Sequence, residues 1–177
     1  MILIMFNELF ADIAGVRVLT LEPNEPVFDQ GDAAKAIFQI EEGSVALVRN
    51  LADGAMVTIA VANAGETFAE ASLFATHYHC AAAPRSRSRV LAIPSDAVRT
   101  RLKSDPNLAS ELAAFLAGQV RDLRARIELQ RIKRAPERVL AWLQVRAKGT
   151  PPQVASPASW AQVATEIALT PEALYRA

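Results

Sequence analysis

A chain of 177 residues, about half of them apolar, suits one large domain or two small ones with a substantial core. A single cysteine, Cys80, excludes an intrachain disulfide and any four-cysteine zinc or iron–sulfur site within one chain. The net charge is zero, but residues 1–75 hold eleven acids and three bases, so that segment carries −8 and the remainder +8. An acidic half joined to a basic half suggests two jobs, the basic one facing a polyanion.

The opening MILIMF is apolar but short, with no basic flank and no cleavage site, so no signal peptide is expected. No apolar run is long enough to span a bilayer, so no membrane partner is expected and a cytosolic location is. Asn7–Ala14 reads as a short helix with Leu9, Phe10 and Ile13 on one side.

From Val16 to Pro94 the pattern is β-rich. Short runs occur at Arg17–Leu21, Pro26–Asp29, Ala36–Glu41, Ser44–Arg49, Met56–Ala62 and Arg89–Ile93, separated by turn residues such as Gln30-Gly31-Asp32, Glu42-Gly43 and Asp53-Gly54. Short strands at close, regular spacing predict a sandwich or jelly roll. Asp53-Gly54 between two alternating runs is a strong hairpin signal. A further strand is expected at 77–83, with Arg85 and Arg87 in the solvated turn that follows it.

After Pro94 the sequence turns helical. Ser95-Asp96 can cap a short helix through Leu102, and Asp105-Pro106 starts a long one reaching about Arg134. Leu112, Leu116, Val120, Leu123 and Ile127 form a seam at spacings of four and three. A helix of roughly 28 residues spans about 42 Å, which is long for a small domain and predicts a coiled-coil homodimer. An amphipathic helix lying on the β domain would show the same seam. Ala135-Pro136 is expected to break the helix as a hinge before Glu137–Lys148, which buries Val139, Leu140, Trp142 and Leu143. Gly149-Thr150-Pro151-Pro152 is a loop, and helices follow at Pro157–Ala168 and Pro171–Ala177.

SWAQVATEIALTPEALYR reads as a helix-turn-helix: Val163, Ala164, Ile167, Leu169 and Leu174 point inward, and Thr170 caps a second helix opened by Pro171. Glu172 and Arg176 would lie on that helix, with chemistries suited to a cytosine amine and to guanine O6/N7. Ala168 occupies the turn position usually given to glycine; a left-handed backbone there would cost alanine about 1 kcal/mol. A plain helical hairpin has the same local pattern.

Four stretches, FDQGDAAKAIFQIEEGSVAL at 28–47, GETFAEASLF at 65–74, RAPERVLAWL at 134–143 and TPEALYR at 170–176, give the chain a resemblance over nearly its whole length. It resembles the cyclic AMP receptor protein and fumarate–nitrate regulator (Crp/Fnr) family of transcription regulators. The resemblance implies an α+β chain. Residues 1–104 would be an effector-sensing double-stranded β-helix (a jelly roll of the cyclic-nucleotide-binding type). Residues 105–135 would be a dimerisation helix and hinge. Residues 136–177 would be a helix-turn-helix of the winged-helix type, incomplete because the family's recognition helix continues beyond the position of Arg176 and is followed by a wing. It further implies a palindromic double-stranded DNA operator read by Thr170, Glu172 and Arg176, a homodimer, a small-molecule effector, and RNA polymerase as a further partner. The competing reading is a ligand-binding or dimerisation module without DNA binding.

By the same resemblance, the effector pocket falls on Glu70, Ser72, His79 and Cys80. Glu70 matches the glutamate that takes a ribose hydroxyl in cyclic-nucleotide binders. The family's phosphate-holding Arg-Ser pair falls near His79-Cys80, and imidazole and thiol are poor substitutes for a guanidinium fork. Cyclic AMP is therefore not the expected effector. Haem is an alternative occupant with His77, His79 and Cys80 as axial ligands. His77 and His79 share one strand face while Cys80 takes the other, so no haem is expected. A zinc site would need ligands the neighbourhood does not offer. No nucleophile–base–orienter set stands out, so no catalysis is expected.

Overall fold

The computed structural model describes residue 10 and residues 13–155 and 159–177. The helix expected at Asn7–Ala14 falls mostly outside them; Phe10 and Ile13 are buried. The chain divides into two compact units, residues 1–113 and 114–177.

Among its described residues the first unit is built on seven strands, all pairing antiparallel: β1 (Arg17–Leu21), β2 (Ala36–Glu42), β3 (Ser44–Asn50), β4 (Met56–Asn63), β5 (Thr67–Phe68), β6 (Ala81–Pro84) and β7 (Ser88–Pro94). They form a four-stranded sheet, β1-β7-β2-β5, and a three-stranded sheet, β4-β3-β6. Inward residues of both meet in one core: Leu21, Phe38, Ile40, Phe68, Val90 and Ala92 from the larger sheet, Val45, Ala62 and Ala82 from the smaller. The β3–β4 hairpin closes where predicted. Gly54 (φ 84°) permits the turn, and Asp53 accepts a bond from the Ala55 N–H at 3.0 Å.

Two expected strands are corrected. Pro26–Asp29 is no strand but a single bridge, Phe28 to Ala82; Pro26 has no N–H to donate, and a turn begins at Asp29. The strand expected at 77–83 begins only at Ala81. His77 makes one bridge with Ala33, because the 76–78 backbone bonds the 31–34 turn instead of another strand. The short segment Glu70–Ser72 is a 3-10 turn entered through Ala69, whose φ of 63° is left-handed.

Helix α1 (Ser95–Ser104) follows β7 directly. Ser95 does not cap it: it lies inside the helix, buried, and its N–H donates to the Lys35 carbonyl at 2.8 Å. Helix α2 (Pro106–Arg131) opens as predicted, Asp105 accepting from the N–H groups of Asn107 and Leu108 at 3.1 Å each. Its 26 residues correspond to about 39 Å.

Among its described residues the second unit contains most of α2 and three further helices: α3 (Ala135–Arg146), α4 (Trp160–Glu166) and α5 (Pro171–Arg176). Ala135-Pro136 does not lie in the break. The break is Ile132–Arg134, and Pro136 sits in the first turn of α3, where its missing N–H is harmless. Between α3 and α4, Lys148 and Gln153 exchange two backbone bonds at 2.9 Å around the 149–152 turn. The core of this unit is Leu129, Trp142, Val163, Ala164, Ile167 and Leu174.

Candidate functional site

In the first unit the residues expected to form an effector pocket occupy different environments. Ser72 and Cys80 are buried, Glu70 is half-buried, and His79 is exposed, as is His77. The burial alternation predicted for 77–80 therefore holds although the segment is not a strand: the histidines face out, and Tyr78 and Cys80 face in. Glu70 opens the 3-10 turn at 70–72, which is held in place by local backbone bonds and by the Arg99 guanidinium donating to the Leu73 carbonyl.

Four aromatic rings fill the adjoining interior. Phe28 and Tyr78 stack with centroids 3.7 Å apart, Phe38 and Phe68 at 4.9 Å, and Phe28 and Phe38 at 5.5 Å. The Tyr78 hydroxyl donates to the Ala36 carbonyl at 2.7 Å and accepts from the Ala36 N–H at 3.1 Å. Burial raises the Tyr78 phenol above its ordinary pKa, with its Ala36 bond pulling the other way. Burial likewise raises the Cys80 thiol, opposed by the charge of Arg49. Arg49 was not singled out in the sequence. The β3–β6 ladder pairs Leu47 with Ala82 and Val48 with Ala81; continued by one residue, it sets Arg49 opposite Cys80. No local signal finds it, because the proximity comes from strand register.

On α2, Leu112 is buried within the chain and Leu116 half-buried, while Val120, Leu123 and Ile127 are about half exposed. The apolar stripe open to solvent therefore consists of the last three.

The α4–α5 pair buries four of the five residues expected inward, and the fifth, Leu169, is half-buried. Val163, Ala164, Ile167 and Leu174 are buried, and the turn passes through Ala168 at φ 52°, the left-handed conformation for which glycine is preferred. Thr170 is the N-cap of α5, its hydroxyl accepting from the Ala173 N–H at 3.1 Å. Glu172 and Arg176 are exposed. The Glu172 carboxyl is held below its ordinary pKa, first by its own backbone N–H and then by the Thr170 hydroxyl.

Sequence reasoning missed the residues that fasten this pair. Arg138 on α3 is buried, donating from Nε to the Ile132 carbonyl at 2.8 Å and from one terminal nitrogen to the Ile167 and Ala168 carbonyls, both at 2.9 Å. Glu166 accepts from the Trp142 indole N–H at 3.3 Å, pairs with Arg146, and lies 3.7 Å from Arg126. Arg126, Trp142, Arg146 and Glu166, with Lys148 and Gln153 of the adjoining turn, border a cleft of about 820 Å³ that also includes Leu129, Val145 and Val154.

A two-sheet sandwich of these strands followed by a long helix is the architecture of a cyclic nucleotide-binding domain, and residues 18–105 match that family. A curated relative, the cyclic AMP receptor protein of Thermus thermophilus, is 30% identical over 130 residues, which are 72% of this chain; the chain spans 60% of that relative's length. The solved structure of DNR from Pseudomonas aeruginosa is 26% identical, with 98% of this chain and 83% of that one covered and a TM-score of 0.62. FixK2 from Bradyrhizobium japonicum, at 22% identity and a TM-score of 0.66 over 91% of this chain, shares the fold. Residues 18–105 belong to the cyclic nucleotide-binding domain family, and the chain is similar to Crp/Fnr-type regulators over most of its length. Among the described residues no helix is long and apolar enough to cross a membrane.

Proposed function

We propose that this chain is the sensing and DNA-binding part of a homodimeric transcription regulator, acting in the cytoplasm, whose effector is a small molecule other than cyclic AMP. The observation that carries the reading is the α4–α5 pair. A short helix packs a buried Ala164, turns through a left-handed Ala168, and continues into a capped helix that leaves Glu172 and Arg176 exposed. That arrangement supports a helix-turn-helix with α5 as the recognition helix. Charge agrees with it: residues 114–177 hold ten bases and five acids, as a DNA-facing unit requires. Val120, Leu123 and Ile127 would form the dimer seam, pairing two α5 helices for a palindromic site, with RNA polymerase as a further partner. The aromatic filling beside Glu70 and the absence of an Arg-Ser pair at His79-Cys80 argue against cyclic AMP.

Selection of duplexes from a random library, followed by fluorescence anisotropy, tests the reading. A palindromic site is expected. Arg176→Ala should relax preference at one base pair, by about 1–3 kcal/mol. A chain that enriches no sequence and binds no duplex is instead a ligand or dimerisation module.

A further inference from the structure

Arg138 lies on α3 but bonds nothing there through its side chain; its acceptors belong to the ends of two other helices. Ile132 is the first residue past α2, and Ile167 and Ala168 are the first two past α4. Carbonyls at a helix C-terminus lack intrahelical partners and carry the negative end of the helix dipole. One guanidinium therefore closes two helix ends at once, and it does so with only 9% of its surface exposed. Nε and one terminal nitrogen donate to Ile132, and the other terminal nitrogen donates to the pair in the turn, a division that a planar fork can make and an ammonium cannot. Thr170, the cap of α5, follows Ala168 by two residues, and the Leu169 N–H between them bonds the Ala164 carbonyl at 2.8 Å.

We propose that Arg138 is a positioning residue that registers the α4–α5 turn, and with it the start of α5, to the end of the long helix α2. A movement of α2's end relative to α4 must break its bonds to one side or carry the turn along. The sequence shows only an arginine in the first turns of an amphipathic helix, where a solvated charge is the ordinary expectation. The functional half of this inference rests on the DNA-binding reading above; the mechanical half does not.

The test compares the full 177-residue chain with Arg138→Lys, which keeps the charge and loses the fork. Amide hydrogen exchange at 163–175 should accelerate at least about tenfold, as expected for losing charge-assisted bonds in a buried site, while β1–β7 stay unchanged. With the palindromic duplex selected by the wild type, the ratio of its affinity to that of a scrambled duplex should fall at least about tenfold at fixed salt. Equal losses on both duplexes would mean that Arg138 only keeps the unit folded, and would overturn positioning. Unchanged exchange would overturn the clamp itself. If the wild type binds no duplex, the DNA-binding reading fails, and with it the functional half, while exchange still decides the clamp. Should the lysine variant lose helical circular dichroism, Arg138→Gln at 10 °C supplies the same readouts.

Discussion

Phe28 and Tyr78 stack nearly parallel inside the sandwich, their planes 18° apart and their centroids at 3.7 Å. Fifty residues separate them in the chain, and two bridges, Phe28 to Ala82 and Ala33 to His77, bring their segments together. With Phe38 and Phe68 they occupy interior volume beside the turn that presents Glu70. A base or sugar entering among them would have to displace close-packed rings.

That packing leads to the first prediction: the protein does not bind cyclic AMP at micromolar concentration. Micromolar affinity requires about 8 kcal/mol. A guanidinium fork on the phosphate would ordinarily supply two charge-assisted bonds of about 1.5–3 kcal/mol each. Exposed His79 offers one bond at most, and Glu70 has no positive charge with which to hold a phosphate. Calorimetric titration with cyclic AMP and cyclic GMP separately is the measurement. A dissociation constant below about 10 μM for either would refute the prediction, and Arg49→Ala, Arg85→Ala and Arg87→Ala would then show which cation had taken over the phosphate.

Alkaline pH should destabilise the first unit. The folded state holds the Cys80 thiol above its ordinary value of 9.0 and the Tyr78 phenol above 10.0, both through burial. As pH rises through these ordinary values, the unfolded chain loses its protons first. Stability from the neutral forms is thus complete below about pH 9 and declines above it. Urea midpoints measured between pH 7.5 and 10.5 should fall, less steeply near pH 9 in Cys80→Ala and less steeply above pH 10 in Tyr78→Phe. Superimposable pH profiles for wild type and both variants would rule out these groups.

The stripe on α2 predicts a dimer. Leu123→Lys with Ile127→Lys places two charges on a half-exposed apolar face, at little cost to the isolated chain. Light scattering should report a dimer for the wild type and a monomer for the double variant. A dimer that survives both changes locates the interface elsewhere.

Two glycine turns should respond unequally to alanine. A Cβ at Gly43 (φ 88°) would lie 2.2 Å from the Ser88 Oγ and 2.7 Å from the Arg87 carbonyl, whereas at Gly54 (φ 84°) nothing stands within 4 Å. Gly54→Ala should cost about 1 kcal/mol, the backbone strain alone. Gly43→Ala should exceed it by about 1–3 kcal/mol. It also disturbs Ser88, which accepts from the Ser44 N–H at 3.1 Å and donates to the Ser86 carbonyl at 2.8 Å. Equal melting temperatures for the two variants would contradict this.

What could be read from the chain alone was whatever depends on near neighbours. Alternation and turn residues located β1 to the residue and β2, β3, β4 and β7 within one residue at either end, because side-chain period and turn chemistry act over a few positions. The Asp105 cap, the Asp53-Gly54 hairpin and the burden on Ala168 were legible for the same reason. The resemblance carried the two-sheet domain followed by a long helix. Long-range pairing decided what local pattern could not. Pro26–Asp29 has strand composition but finds only one bridge, and His77–Cys80 alternates like a strand while bonding a turn. Arg49 comes beside Cys80 through β3–β6 register alone. Arg138 and Glu166 look like surface charges until α2, α3 and α4 assemble around them. A buried ion or ring takes its meaning from partners tens of residues away. Only the closed core removes the water that would otherwise have been its partner.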